Sequence, residues 1–244
     1  ASTAALASAT KYPDKMSVNT TAGFSIVSYT ANNNTSCTIP HGLSKAPEMV
    51  IIKNRSTSPN GQWVIGNHIN GFTGQMYFTA GAFSTNSGSF NNTAPSNTVV
   101  TVGTDNTTNE GTDDFIMYCF HSVDGYSKVG EYYGSRGYSG SNSSTNGSFV
   151  YTGFKPAWVM IKSHDVGVTW WLHDNKREAY NGARKRLLPT QYNTEISTNY
   201  VDFYSNGFKW VPSTGSNQVD SFGYEYLYLA FAEQPFKYSN AGGR

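Results

Sequence analysis

The residues able to do acid–base chemistry are scattered along the chain, and few of them are adjacent. His173-Asp174 comes closest to a catalytic dyad, and it follows the aromatic run Trp170-Trp-Leu172 at the end of a predicted strand. Adjacent residues in a strand point to opposite faces, so these two side chains are not expected to act together. We therefore interpret His173 as a structural or surface histidine, and keep it as a candidate for surface recognition.

Carboxylates offer two further possibilities. Asp113-Asp114 precedes a predicted strand and supplies oxygen ligands for a cation, although the sequence Gly-Thr-Asp-Asp is ordinary turn chemistry and we favour the turn. Glycoside hydrolysis needs two carboxyl groups that face each other across a cleft. Acids are present in number, but nothing in their spacing brings any two together: Glu131, Asp202, Glu225 and Glu233.

Motifs of the common enzyme classes are absent from the sequence. There is no G-x-S-x-G elbow, no H-E-x-x-H or C-x-x-C pair, no P-loop and no Rossmann glycine pattern. We therefore predict a protein that is not an enzyme, with no catalytic residue, bound metal or cofactor.

Aromatic residues beside polar loops point to binding. Tyr132, Tyr133 and Tyr138 lie around a loop rich in Gly, Ser and Asn, a composition used for adaptable recognition. The alternative is that Tyr132 and Tyr133 alternate in a strand, one in the core and one outside. Trp170 and Trp171 pose the same question, with one expected in the core and the other a candidate for exposure. The candidate recognition residues are Tyr132, Tyr133, Tyr138, Trp170 and His173.

Composition excludes several classes of partner. Charged residues make up 14% of the 244 residues and the formal net charge is +1, so the basic stripe of a nucleic-acid binder is missing. No run of about 18 apolar residues predicts membrane insertion. Five basic residues are predicted to form a solvated rim on a loop followed by a strand rather than on an amphipathic helix: Lys176, Arg177, Arg184, Lys185 and Arg186.

The two cysteines, Cys37 and Cys119, are too few for a disulfide framework. We interpret them as buried thiols, with a disulfide or a metal pair as the less favoured alternative.

The chain repeats one pattern at a fixed interval. Ile39–Lys53 and Phe149–Lys162 both run from a Gly to a Pro and then through an apolar stretch to a Lys, and 109 residues separate the two Pro and the two Lys. Phe208–Val211 matches Val99–Val102 at 109 residues, Arg186–Leu188 matches Met76–Phe78 at 110, and Tyr226–Phe231 matches Phe115–Phe120 at 111.

Regularly spaced short strands predict an all-β fold of two tandem, internally repeated antiparallel β-sandwich modules that resemble jelly rolls. The predicted modules are residues 23–126 and 127–238. Residues 1–22 are small and polar and are interpreted as a linker or N-terminal arm. The N-terminal sequence suggests a chain that is cut from something larger or processed. Residues 239–244 form a C-terminal tail. Whether the modules fold as separate sandwiches or share one core is left open.

Both copies of the repeat resemble a domain of uncharacterised function in bacteriophage virion proteins, notably tail-fibre-like chains of aquatic phages. The likeness extends to Val201–Lys209 and Tyr228–Tyr238, and it covers about Gly23 to Tyr238. It implies a non-enzymatic virion component assembled in the reducing cytoplasm of a bacterial host, where free thiols persist.

The expected function is a fibre or spike domain that presents loops to a glycan or protein of the host surface. Its expected partners are other virion proteins and further copies of itself, with a homotrimer favoured. One alternative is a capsid decoration or architectural protein without a receptor. Another, from a different class, is a depolymerase that cleaves host polysaccharide.

Overall fold

The structure is a computed structural model, and its regular elements are mainly short strands in which burial alternates. In the strand Phe24–Thr30, for example, every second side chain is buried, as expected for a sheet with one face on a core. The structure describes residues 7–56, 61–135, 147–177, 185–189, 195–197, 201–211 and 219–234. The described part is almost entirely β, and all of its strand pairs are antiparallel, so the predicted fold class is confirmed.

The first module has a seven-stranded sheet in the order β1-β2-β9-β4-β5-β6-β7 and a two-stranded sheet β3-β8. Two single-turn helices connect its later strands. The elements are β1 (Lys15–Asn19), β2 (Phe24–Thr30), β3 (Cys37–Pro40), β4 (Met49–Asn54), β5 (Trp63–Asn67), β6 (Gly74–Tyr77), β7 (Ser84–Thr85), α1 (Ser87–Phe90), β8 (Val99–Val102), α2 (Asn106–Asn109) and β9 (Asp114–Phe120).

The second module has a six-stranded sheet in the order β10-β18-β12-β13-β14-β15 and a three-stranded sheet β11-β17-β16. Its strands are β10 (Ser127–Tyr133), β11 (Phe149–Tyr151), β12 (Pro156–Ser163), β13 (Trp171–Asp174), β14 (Lys185–Leu187), β15 (Ile196–Ser197), β16 (Val201–Tyr204), β17 (Gly207–Trp210) and β18 (Glu225–Ala232).

The two modules share one topology, which is what the sequence repeat predicts. From β2 to β7 the large sheet of the first module has the same strand order as the large sheet of the second, and β3-β8 corresponds to β11-β17. The strand register confirms that Phe120 and Phe231 are equivalent, because they pair with the equivalent residues Met49 and Trp158.

At two strands the sequence match is off by one residue. Val150 pairs with Phe208 where Ile39 pairs with Val100, so Phe208 corresponds to Val100 rather than to Val99. Leu187 likewise corresponds to Met76 rather than to Tyr77. Hydrophobic similarity alone cannot fix register in strands this short.

Each module encloses its own apolar core between its two sheets. In the first, Val27 of β2 and Ile52 of β4 pack with Val100 of the small sheet. In the second, Ile161 of β12 and Tyr228 of β18 pack with Phe208. The modules are therefore separate sandwiches rather than halves of one core.

The module boundaries differ from the predicted ones. The chain divides into one unit of Ala1–Phe78 and Phe83–Ser122 and a second of Thr79–Ala82 and Val123–Arg244. The interpretation of residues 1–22 as a linker is wrong for Lys15–Asn19, which pairs along its length with Phe24–Ser28 as the edge strand β1. The sequence Lys-Met-Ser-Val-Asn has too little apolar character to predict a strand alone, and pairing with β2 supplies the missing stabilisation.

The repeated lysine closes the hairpin that follows it in each module. Lys53 Nζ donates to the carbonyl of Gly61 at 2.6 Å, and Lys162 Nζ donates to the carbonyl of Val168. Lys162 is fully buried, and desolvation lowers its pKa to about 8. The lysine of the sequence repeat is thus a tether from strand to loop.

Cys37 and Cys119 are buried free thiols in the first core, as predicted. Burial raises the pKa of Cys37 to about 11 and that of Cys119 to about 12.

We expect the folded protein to resist alkylation of both cysteines at pH 8. The thiolate is the nucleophile, and a pKa raised by about two units lowers its population about a hundredfold before steric protection is counted. Mass spectrometry after brief maleimide treatment should show no adduct on the native chain and two on the chain unfolded in guanidinium. Rapid double labelling of the folded chain would contradict the burial.

Candidate functional site

One face of the small sheet in the second module carries three exposed aromatic rings. Strand alternation places Phe149 and Tyr151 of β11 and Tyr204 of β16 outward, while Val150 and Phe203 between them enter the core. Tyr151 keeps 61% of its surface exposed, Phe149 47% and Tyr204 42%. We call these three residues, with Asp202, Gly207 and Lys209 beside them, the aromatic platform.

Gly207 allows the rings to approach across the central strand. It pairs with Tyr151 on one side and Tyr204 on the other. A Cβ at this position would lie 2.1 Å from the carbonyl oxygen of Val150 and 3.0 Å from the tip of the Phe149 ring. Without a side chain there, Phe149 and Tyr204 meet edge to face with ring centroids 6.0 Å apart.

Charged groups flank the rings. Asp202 and Lys209 are partners in the β16–β17 register. They lie on the same outward face as the aromatic rings. Lys128 Nζ lies 5.4 Å from the centroid of the Tyr151 ring and donates to the Tyr151 carbonyl at 3.0 Å. The platform therefore combines apolar ring surface with an acceptor and two cationic donors.

The equivalent positions of the first module carry no aromatic side chain: Thr38, Pro40 and Thr101. Thr38 corresponds to Phe149, and its hydroxyl donates to the carbonyl of Ser8 at 2.8 Å. The backbone of Thr10 and Lys11 also bonds to Thr38, so the N-terminal segment lies along β3. Thr101, which corresponds to Lys209, is buried. Of the two small sheets, only that of the second module carries exposed aromatic rings among the described residues.

The tyrosine candidates divide as strand alternation predicts. Tyr132 is buried, stacks on Tyr226 with centroids 5.0 Å apart and donates its hydroxyl to the Val219 carbonyl. Desolvation raises the pKa of Tyr132 well above its usual value. Tyr133 is 66% exposed. Tyr138 lies outside the described residues. Of these three, the structure offers Tyr133 as a surface residue and assigns Tyr132 to the core.

The candidate assignment of Trp170 to the surface is wrong, because Trp170 and Trp171 are both buried. Trp170 precedes β13, so strand alternation does not apply to it. His173 is also buried, with its ring centroid 6.2 Å from that of Trp171 and 6.0 Å from that of Trp210. Trp170 and His173 are therefore structural residues and not surface contacts. Asp174 points the other way and binds Arg177, as the alternation argument predicts.

A cluster of titratable groups surrounds the end of β10. Glu225 lies beside Tyr133, its partner across the strand pair, and beside Glu131, its diagonal neighbour. Burial, with help from the nearby Glu131 side chain, raises the pKa of Glu225. The Glu225 carboxylate in turn raises the pKa of the Tyr133 hydroxyl. His164 and Asp165 adjoin Glu225, with His164 Nδ1 3.2 Å from Asp165 Oδ1.

Most of the other acidic and basic residues have a polar or charged partner. Asp113 accepts from Asn54 and Asp114 from Thr30, in the turn we favoured over a cation site. Glu233 pairs with Lys155. Within the predicted basic rim, Arg177 and Lys185 both bind Glu195, and Arg186 lies 3.7 Å above the Trp171 ring. Lys185–Leu187 is a strand as predicted, while Arg184 lies outside the described residues.

Sequence reasoning missed the aromatic platform. In the sequence, Phe149 and Tyr151 belong to the repeated pattern and carry no separate signal of a binding role. The signal that could have found them is a position-by-position comparison of the two copies, in which Phe149 replaces Thr38 and Tyr151 replaces Pro40.

Fold and site together define a class of protein: a tandem β-sandwich with an exposed aromatic face on one module. Residues 2–235 match the model of a domain of unknown function, DUF7483, and the chain belongs to that family. Searches of curated proteins and of solved structures gave no match. No helix among the described residues is long and apolar enough to cross a membrane.

Proposed function

We propose that this chain is a virion structural protein, a fibre or spike domain of a bacteriophage, whose second module binds a saccharide of the host surface. The observation that carries the proposal is the aromatic platform. Its exposed rings can pack on the C–H faces of sugar rings, while Asp202, Lys209 and Lys128 can bond to hydroxyl groups. The resemblance of the repeat to phage tail-fibre-like chains supports the virion setting.

A saccharide fits the platform better than a protein partner does. Protein interfaces have an apolar centre that excludes water and a polar rim around it. Here charged side chains lie directly beside the rings, and the three rings are only partly exposed. A surface on which apolar rings and hydrogen-bonding groups are neighbours matches a saccharide, because each sugar ring presents both a C–H face and hydroxyl groups.

The carboxyl geometry gives the depolymerase alternative no support. Glu131 and Glu225 are diagonal neighbours on the paired strands β10 and β18, and their carboxyl groups are close enough for Glu131 to raise the pKa of Glu225. Glycosidase carboxyl groups stand about 5 to 9.5 Å apart, because a sugar or a water must fit between them. The single acid on the platform, Asp202, belongs to recognition in this proposal.

Replacing both Tyr151 and Tyr204 with alanine should weaken saccharide binding by about a hundredfold. Each ring at the centre of a small interface contributes roughly 1.4 kcal/mol, which is about tenfold in affinity. Stability should change by less than about 0.5 kcal/mol per site, because both rings lie at the surface. Binding of the 244-residue chain to an array of bacterial surface polysaccharides measures the first effect, and thermal unfolding measures the second.

Tyr12→Ala is the matched control, because Tyr12 is exposed to 59% and lies outside the platform. It should bind as the unchanged chain does. If the unchanged chain bound no polysaccharide on the array, or if the variant lacking both tyrosine rings bound equally well, a saccharide platform would be refuted. Binding to host cells that persists after their polysaccharide is removed would indicate a protein receptor instead. Antibodies against the chain should label virions at a tail structure, and labelling of the capsid lattice would favour the decoration protein.

The assembly that the proposal expects is a homotrimer or another symmetric oligomer with further virion proteins. Light scattering of the purified chain tests this part separately.

A further inference from the structure

The second module carries a group of metal-ligating side chains that the proposed function does not use. His164 and Asp165 follow β12, and Glu225 begins β18, so the β12–β18 pairing brings them together. One ligand atom from each lies within 4.8 Å of the other two. This is the one such group among the residues that the structure describes.

We propose that His164, Asp165 and Glu225 bind a divalent transition-metal ion of the zinc type. His164 Nδ1 lies 3.2 Å from Asp165 Oδ1 and 3.9 Å from Glu225 Oε2. Ligand atoms around a tetrahedral ion are separated by about 3.3–3.6 Å when the bonds are about 2.0–2.2 Å long. The two distances from His164 lie on either side of this range, and all three ligand atoms lie within 4.8 Å of one another, so side-chain rotations can complete the site.

Other hydrogen bonds hold the ligands in orientation. Asp165 Oδ2 accepts from the backbone N–H of Glu225 at 2.6 Å, which leaves Oδ1 facing the imidazole. The backbone N–H of His164 donates to the Glu225 carbonyl at 2.8 Å. Outer hydrogen bonds of this kind fix ligand geometry in metal sites.

The first module has the same backbone framework with different side chains. Arg55 corresponds to His164, and its N–H donates to the Asp114 carbonyl at 2.7 Å. Ser56 corresponds to Asp165 and accepts from the Asp114 N–H at 3.0 Å. The framework therefore does not require an imidazole or a second carboxylate. The second copy has the His164 imidazole where the first has the Arg55 guanidinium, and the Asp165 carboxylate where the first has the Ser56 hydroxyl.

The donor set selects the class of ion. One imidazole with two carboxylates suits Zn²⁺ and its neighbours, whereas Ca²⁺ requires six to eight oxygen ligands. Three protein ligands leave at least one position of a tetrahedral ion for water or an outside oxygen atom.

Isothermal titration of the whole chain with Zn²⁺ tests the proposal. We expect one ion per chain, and His164→Gln should weaken binding by at least about 10–100-fold, the loss typical of weaker, outer-shell changes. His68→Gln is the matched control, because His68 is exposed and outside the group, and it should leave the affinity unchanged. Added Co²⁺ should show the visible absorption of a tetrahedral nitrogen–oxygen site, and His164→Gln should abolish it.

Three results would overturn the proposal. They are no saturable Zn²⁺ binding below about 1 mM, equal binding by His164→Gln, or binding of Ca²⁺ in preference to Zn²⁺. The first two would leave the group as neighbouring side chains without an ion, and the third would make it a calcium site instead. Saccharide binding is not a readout here, so the two proposals succeed or fail separately.

Discussion

Replacing Trp210 with alanine is expected to lower the free energy of unfolding of the second module by about 3–5 kcal/mol, the usual cost of removing a buried tryptophan side chain. Trp210 is fully buried, and its centroid lies 6.3 Å from that of Trp171 and 6.0 Å from that of Phe208. These rings are held in strands of both sheets, so neither sheet can move inward to fill the cavity. The loss is a large fraction of the 5–15 kcal/mol that stabilises a typical domain.

Urea unfolding followed by hydrogen exchange and mass spectrometry measures the effect in peptides from β12, β17 and β18. Trp210→Phe keeps a ring at the site and should cost less, so it remains measurable if the alanine variant does not fold. Trp63→Ala is the control, read in peptides from β4 and β5 of the first module, because Trp63 is 38% exposed and should cost about 1 kcal/mol. A loss below about 1 kcal/mol in Trp210→Ala would contradict the role of this ring in the core.

The unchanged protein should gain about 3 kcal/mol of stability relative to Lys162→Met between pH 7 and pH 10.5. Burial lowers the pKa of Lys162 from its usual 10.5 to about 8. Between these values the unfolded chain holds a proton that the folded lysine has lost, so the free energy of unfolding rises with pH. Each unit of pKa difference corresponds to about 1.4 kcal/mol.

Only the difference between the two proteins isolates the lysine. The raised pKa values of Cys37, Cys119 and Tyr226 act in the opposite direction at alkaline pH, because these groups stay protonated in the folded chain. Both proteins share that effect, and it cancels. Urea unfolding at several pH values gives the difference, and Lys53→Met supplies the effect of removing the other tether. Parallel curves for the unchanged protein and Lys162→Met would show that Lys162 is not desolvated.

The sequence repeat predicted the fold because hydrophobic periodicity and turn residues are local signals that occur twice. Two copies that agree make each strand assignment more certain, and β9 and β18 were matched residue for residue. Short strands were harder. β8 and β17 are four residues each, and their register depends on pairing with β3 and β11, which lie far away along the chain.

The candidate sites depend on contacts that no local pattern encodes. Glu131 and Glu225 meet because β10 and β18 are neighbours in the sheet, although 94 positions separate them in the chain. The exposed side of β11 could be predicted only as one of two alternatives, since Phe149 and Tyr151 share a face that either side of the sandwich could occupy. For Trp170 the limit was different, because the residue precedes its strand and packs by tertiary contacts alone.

The lysine tethers have a consequence for how such a protein can change. Lys53 and Lys162 each bind a backbone carbonyl at the far side of a hairpin, and every residue type provides that carbonyl. Closure of the hairpin is therefore indifferent to which side chains its tip displays. Mutations at the tips can accumulate, or be introduced in a library, while the strands on either side keep their register.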